Sequence, residues 1–253
     1  MPASALLIGA SATLKVASLN LCTDELLLSL AAPEQIVSVT HLAQKPQEST
    51  LWRQARRFPK NDGSLLSVVG STPDLVLTMG GGARDRARIA QRLGIRILDL
   101  PYPQKLADVE RAIAVVAQAL GRPEVGRRWL ARIEALKRTR PSQSPDTIWL
   151  GGGGRSVQAT GLAAEWMTLA GFKQRPLRGD RVSLEQLLVH PPRVLLRSDY
   201  RSGQYSGEQR WLRHPLARGT ARSRTIPTDG RAWTCMGPPM VDEILRLRRR
   251  AGA

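Results

Sequence analysis

The chain has 253 residues, 42% of them hydrophobic, and Lys plus Arg outnumber Asp plus Glu by 38 to 21, a formal charge of +17. That length and apolar content suit one large domain or two lobes of about 100–150 residues, and they exclude a disordered tail or a fibrous repeat. No apolar run reaches the ~18 residues that a membrane-spanning helix needs.

The basic excess is 32 Arg against 6 Lys, scattered from Arg53 to Arg250. Its longer clusters, such as Arg246 with Arg248 to Arg250, are not interleaved with aromatics. A spread positive field favours anionic partners of any kind, and without a basic–aromatic patch it does not single out nucleic acid.

At the start, Ala5 to Ala10 is a short apolar stretch followed by the small-x-small pattern Ala10-Ser11-Ala12, with no basic segment ahead of it. Residues 1–14 read as the remainder of an export signal or a disordered start. Val16 to Leu19 reads as a strand. Thr23 or Asp24 then caps a helix carrying Leu26, Leu27, Leu28 and Leu30, which Pro33 closes. Strands follow at Ile36 to Val39, Leu75 to Leu77 and Ile95 to Leu98, with a helix from Arg84 to Leu93 ended by Gly94. This alternation predicts a parallel sheet covered by helices over residues 15–103.

From about Leu106 to Arg140 the signal is helical. Leu106, Val109, Ile113, Val116 and Leu120 recur at helical spacing, as do Val125, Trp129, Ile133 and Leu136. Gly121 and Pro123 interrupt the run, giving two helices or one kinked one. A Pro/Ser linker from Pro141 to Pro145 ends this helical backbone (104–144). A second strand–helix series starts at Ile148 to Leu150 and fills 145–253, with a last helix from about Met240.

Internal echoes support two similar halves. Gly80-Gly81-Gly82-Ala83-Arg84 follows one strand, and Gly151 to Gly154 with Arg155 follows another at an offset of 71. At an offset of 119, Ser64-Leu65, Pro73 and Leu75-Val76-Leu77 match Ser183-Leu184, Pro192 and Val194-Leu195-Leu196. Each half is thus expected to carry a helix, a strand entered through Pro, and a Gly-rich turn from strand to helix.

Glycine after a parallel strand lets backbone approach a ligand, and a following helix offers free N–H groups to an anion. Gly81, Arg84, Gly152 and Arg155 are candidates on that ground. All three tyrosines fall just past strand ends, Tyr102 after one and Tyr200 and Tyr205 after another. Ligands of open α/β sheets sit beyond the carboxyl ends of the strands, so Asp199 to Tyr205, with Arg201, reads as a ligand loop. Of the histidines, His190 and His214 precede prolines, and there is no HExxH, GxSxG or CxxC. Asp24-Glu25 reads as helix capping. Cys22, beside Asn20, has no partner base in sight. No catalytic residue, resident metal or cofactor is expected.

The stretches VASLNLCTDELLLSL, IVSVTH, STPDLVLTMGG, GIRILDLPYP, SLEQLLVHPPRVLLRSDY and DGRAWTCMGPPMVDEILRL, with the central helical pair, cover Val16 to about Leu247. In them the chain resembles the class III periplasmic substrate-binding proteins of ABC importers for cobalamin and iron–siderophore complexes. The resemblance implies two α/β lobes joined by a long, rigid helical backbone, with a ligand cleft between them and limited hinge closure. It also implies a periplasmic monomer that does no chemistry. The ligand would be a ferric siderophore or a corrinoid, and the partner an ABC permease in the inner membrane. The cleft candidates are then Asn20, Cys22, Gly81, Arg84, Tyr102, Gly152, Arg155, Tyr200, Arg201, Tyr205 and Trp233, with Tyr102 and Arg201 outweighing any histidine. The family docks through one acid on each lobe. Glu185 stands at that place in the second lobe, whereas the first-lobe counterpart is Leu66, with Asp62 four residues earlier as the substitute.

A two-domain α/β transferase acting on a nucleotide-activated substrate would also explain a cleft and two Gly runs. Neither run fits a nucleotide fingerprint: there is no GxGxxG with a later acid, and no Lys-Ser/Thr after the second run. Cys22 and Cys235 leave three outcomes open: a disulfide tying the lobes, soft contacts to a bound metal complex, or two small buried side chains. A bridge across a cleft hinders opening, so two free thiols are expected.

Overall fold

A computed structural model describes residues 13–81, 84–200 and 206–252. The first half runs β1 (Val16–Ser18), α1 (Leu21–Leu30), β2 (Ile36–Thr40), α2 (Trp52–Ala55), β3 (Lys60–Asn61), α3 (Leu66–Val69), β4 (Leu75–Met79), α4 (Arg84–Arg92) and β5 (Arg96–Leu100). Two helices follow, α5 (Leu106–Ala119) and α6 (Pro123–Arg138). The second half runs β6 (Asp146–Leu150), α7 (Leu162–Leu169), β7 (Lys173–Gln174), α8 (Leu184–Val189), β8 (Val194–Ser198), α9 (Gly207–Arg213), α10 (Pro215–Arg218), β9 (Arg224–Thr228), α11 (Ala232–Cys235) and α12 (Met240–Ala251).

The strands form two sheets, β3-β2-β1-β4-β5 and β7-β6-β8-β9, and every pairing is parallel. The echo at offset 119 is real structure: α3, Pro73 and β4 stand in the first sheet as α8, Pro192 and β8 stand in the second. In each sheet the chain order reverses beside one strand, between β1 and β4 in the first and between β6 and β8 in the second. Those reversals open a crevice at the carboxyl ends of the strands.

Alternation along the strands divides the core. Val16, Leu75 and Leu77 face inward with Val194 and Leu196, in one cluster that also takes in α1, α5, α7 and α12. Ala17 and Val76 belong to a separate layer on the far face of the first sheet, and Ile148 and Leu195 to another on the far face of the second. One continuous core therefore runs through both lobes. The central connection is a helical hairpin: α6 turns back on α5, and Gly126 is so close to Ala117 that a Cβ there would lie 2.6 Å from the Ala117 Cβ.

Three sequence expectations are corrected. Asn20, not Thr23 or Asp24, caps α1, accepting from the Cys22 N–H at 2.8 Å. Asp24 and Glu25 are both buried instead of capping; Asp24 accepts the backbone N–H and the hydroxyl of Thr40. The second Gly run does not open a helix: a single 3-10 turn at Gly152–Gly154 returns to extended backbone at Arg155, and α7 begins only at Leu162.

The basic C-terminal cluster is not one solvated face either. Arg248 turns inward, donating to Leu169 O at 2.6 and 2.8 Å, Leu136 O at 2.7 Å and Thr139 Oγ1 at 2.8 Å. A cation at the carbonyl ends of two helices satisfies groups that the helices leave unpaired. Arg248→Ala is expected to cost about 3 kcal/mol, because charge-assisted bonds to buried carbonyls are lost. Urea unfolding checks this, and a shift under 1 kcal/mol would refute the role.

Candidate functional site

The carboxyl ends of β6, β8 and β9 surround a cavity of about 540 Å³. Gly151 and Gly152 follow β6, Tyr200 follows β8, and Gly230 and Trp233 follow β9. Gly230 permits the closeness of the last two loops, since a Cβ there would lie 2.2 Å from Ser198 Oγ and 2.3 Å from Tyr200 Cβ. Trp149, at the end of β6, and Trp233 give the cavity two indole faces with centroids 6.0 Å apart and planes at 58°.

Both rings are held from behind. The Trp233 indole N–H donates to Thr228 Oγ1 at 2.7 Å, and the Thr228 hydroxyl donates to Glu243. The Trp149 backbone N–H donates to Gln174 Oε1 at 2.9 Å, while Ser156 Oγ donates to the Trp149 carbonyl at 2.6 Å. Among the described residues the buried indole N–H of Trp149 has no partner. Aromatic rings of this kind bind flat apolar surface.

Arg155 stands at the cavity mouth, but its guanidinium is already paired, 2.9 Å from Glu208 on α9. Both side chains are more than half exposed, so this pair is weak. Glu208→Gln is expected to free Arg155 and raise affinity for an anionic ligand several-fold, leaving a neutral one unchanged; titrating both at two salt concentrations checks it.

The first lobe reaches across at several points. The Tyr200 hydroxyl donates to Glu48 Oε2 at 2.7 Å, and Glu48, in the loop after β2, is buried. Arg231 donates to Pro46 O at 2.7 Å while gripping Asp229 with two bonds of 2.8 and 2.6 Å. The α5 end of the hairpin is also tied, with Leu106 N–H donating to Glu165 Oε2 on α7. Cys22, in the first turn of α1, is disulfide-bonded to Cys235 at the end of α11, with Cα atoms 5.1 Å apart. The expected free thiols are therefore wrong. Both segments follow strand carboxyl ends, β1 and β9, and that geometry brings the two sulfurs together across the lobes.

Of the candidates named from sequence, Gly152, Arg155, Tyr200 and Trp233 line this one cavity. Asn20 and Cys22 stand after β1, the first spent on capping and the second on the disulfide. Tyr102 is 55% exposed after β5, its ring lying on Gly80, where a Cβ would come within 2.3 Å of it. Gly81 is exposed at φ +79, and Arg84 is the first residue of α4. Tyr102 and Gly81 lie outside the cavity lining, and the Arg84 side chain lies outside the described ones. Arg201 and Tyr205 lie outside the described residues. Trp149, Glu48, Gln174 and Glu208 were missed. The one signal for Trp149 was an aromatic two residues before the second Gly run.

The docking candidates are on the surface. Asp62 accepts from Ser64 N–H at 2.8 Å, and bonds from Ser64 and Ser67 hold its carboxyl down to about 2. Glu185 sits in the first turn of α8, its carboxyl lowered by the Ser183 hydroxyl. Leu66, at the start of α3, is 84% exposed. A larger cavity of about 700 Å³ lies between α1, α2, α6 and α12, with Asp229 from the end of β9. Its acids are already committed, Asp242 to Arg132, Glu243 to Arg246 and Asp229 to Arg231. The strand-end cavity is thus the better ligand site.

Residues 16–221 match the sequence family described as periplasmic binding protein. The chain belongs to that family. No curated protein sequence matches it. Solved structures share its fold at low identity. The periplasmic heme-binding protein HutB of Vibrio cholerae aligns with a TM-score of 0.71 and 16% identity, over 95% of this chain and 99% of that one. The heme-binding protein RhuT from Roseiflexus sp. RS-1 gives 0.65 and 22%, over 94% and 98%. The vitamin B12 binding protein BtuF of Vibrio cholerae gives 0.63 and 18%, over 93% and 95%.

Proposed function

We propose that this chain is the periplasmic substrate-binding component of an ABC importer, taking up one metal tetrapyrrole, a heme or a corrinoid, in the strand-end cavity. The carrying observation is the pair of indoles with Tyr200 on a cavity at the reversal of the second sheet, with Arg155 at the mouth. Flat π-faces suit a macrocycle, and a guanidinium suits its carboxylate arms. Membership of the periplasmic binding protein family and the ligands of the heme and vitamin B12 binders with the same fold support this reading. We read residues 15–103 and 145–253 as the two lobes. Glu185 and Asp62 are proposed as the contacts to the permease, and the protein works as a monomer without catalysis.

A ligand panel tests the proposal through quenching of the six tryptophans. Heme, cobalamin, a ferric hydroxamate siderophore and a nucleotide sugar form the panel. Saturable quenching by heme or cobalamin, weakened at least tenfold in Trp233→Ala, is expected. Saturation by the siderophore alone would shift the ligand class, and saturation by the nucleotide sugar alone would favour the transferase reading.

A further inference from the structure

The disulfide and a buried acid beside it form a unit outside the cavity lining. Cys22 lies in the first lobe and Cys235 in the second, 213 residues later, directly after Trp233 and Thr234 of the cavity lining. Cys22 is half-buried and Cys235 is 7% exposed. Glu25 is three residues beyond Cys22, on the same face of α1. It is 1% exposed, and among the described residues neither carboxyl oxygen has a hydrogen-bond partner. Its Oε2 lies 3.2 Å from where a Cβ on Gly237 would be, two residues past Cys235. The two segments that the disulfide joins therefore also enclose the Glu25 carboxyl.

The titratable groups acting on Glu25 are Asp24 on its own helix and Asp229 on the segment entering α11. Asp24 is bonded to Thr40 and Asp229 to Arg231. The buried face of α5 that packs on α1 is apolar, with Val109, Ile113 and Val116, and β1, β2 and β4 carry no charge. Burial first, and then the two acids, push the Glu25 carboxyl well above the usual range. Enclosure therefore favours its neutral form, and access to water favours ionisation.

We propose that Cys22–Cys235 is a reducible clasp on the two lobes, opened by a dithiol, and that parting of the lobes then exposes Glu25. The attacking thiolate forms a mixed disulfide with Cys22, the more accessible sulfur, and Cys235 leaves as a thiolate. The second thiol of the reagent then displaces Cys22. Two electrons and two protons pass from the dithiol to the cysteines: the reagent ends as a cyclic disulfide and the protein as two thiols. With the clasp closed, Glu25 stays enclosed and its neutral form is favoured. With it open, the parted state gains from ionisation of Glu25, so opening increases as pH rises.

The probe is dithiothreitol on the full chain, with thiols counted by alkylation and mass, and the radius of gyration measured by X-ray scattering at pH 6 and pH 8. The oxidised protein is expected to have the same radius at both. The reduced protein should carry two labels and a larger radius, more so at pH 8, and the reduced Glu25→Gln variant should lose the pH dependence. Absence of labelling of the folded protein, or full labelling with an unchanged radius at both pH values, overturns the clasp. A pH dependence that survives in Glu25→Gln overturns the role of the acid. The reduced wild-type protein decides the first point even if the variant does not fold.

Discussion

Replacing Cys22 and Cys235 together with serine is expected to lower the stability of the oxidised protein by about 5 kcal/mol, the loop-closure value for a ring of this size. The bridge spans 213 residues, nearly the whole chain. It restricts the unfolded ensemble more than any shorter link would, because the entropy of closing a loop grows with its length. Both positions are changed so that no lone thiol is left to pair between molecules. Guanidinium unfolding of the two proteins, compared at constant m, gives the difference. A loss below about 1 kcal/mol would mean that residual structure in the unfolded chain already holds the two segments together.

The second large effect is on pH. Burial raises the Asp24 carboxyl to about 7, against the opposing bonds from Thr40. A raised folded-state value means the native protein holds a proton that the unfolded chain has released. Stability is therefore greatest near pH 4 and falls as pH rises, until the folded-state value is passed at about 7. The shift of about three units corresponds to roughly 4 kcal/mol over that window. Glu25 adds to the loss in the same direction. Asp62, Asp108 and Glu185, all lowered, act in the opposite sense, and their contribution is lost as pH falls below the usual carboxylate range. Denaturation midpoints from pH 4 to 8 measure the slope, and Asp24→Asn is expected to remove most of it. A flat profile in the unaltered protein would falsify the assignment of a protonated Asp24.

Much of the architecture was readable in the sequence because parallel strands buried on both faces are short apolar runs. Val16, Ile36, Leu75 and Val194 each begin a strand where the apolar pattern places one. The echo of Ser64 to Leu77 in Ser183 to Leu196 was equally readable, since the same helix–Pro–strand unit is built twice. Strand β9 was not. Its sequence, Arg-Thr-Ile-Pro-Thr, buries Ile226 and Thr228 and holds Pro227, and as an edge strand it needs no alternating pattern. The site was legible only in part. Tyr200 follows β8 and could be placed from order alone, whereas Trp233 follows β9 and came only with the family resemblance. Glu208 and Glu48 enter the site from segments whose approach is set by packing, and no local signal marks them. The cysteines were misjudged for a different reason: the expectation rested on how a cleft must move, whereas the pairing depends on where α11 meets α1.

The inward turn of Arg248 has a consequence for how the two halves are joined. The first sheet is closed by β5 at Leu100, and the hairpin follows it to Arg138. The carbonyl ends of α6 and α7 nevertheless share one guanidinium, supplied by α12. A chain without that helix would keep the elements of its first half and lose the group that ties the end of the hairpin to the second.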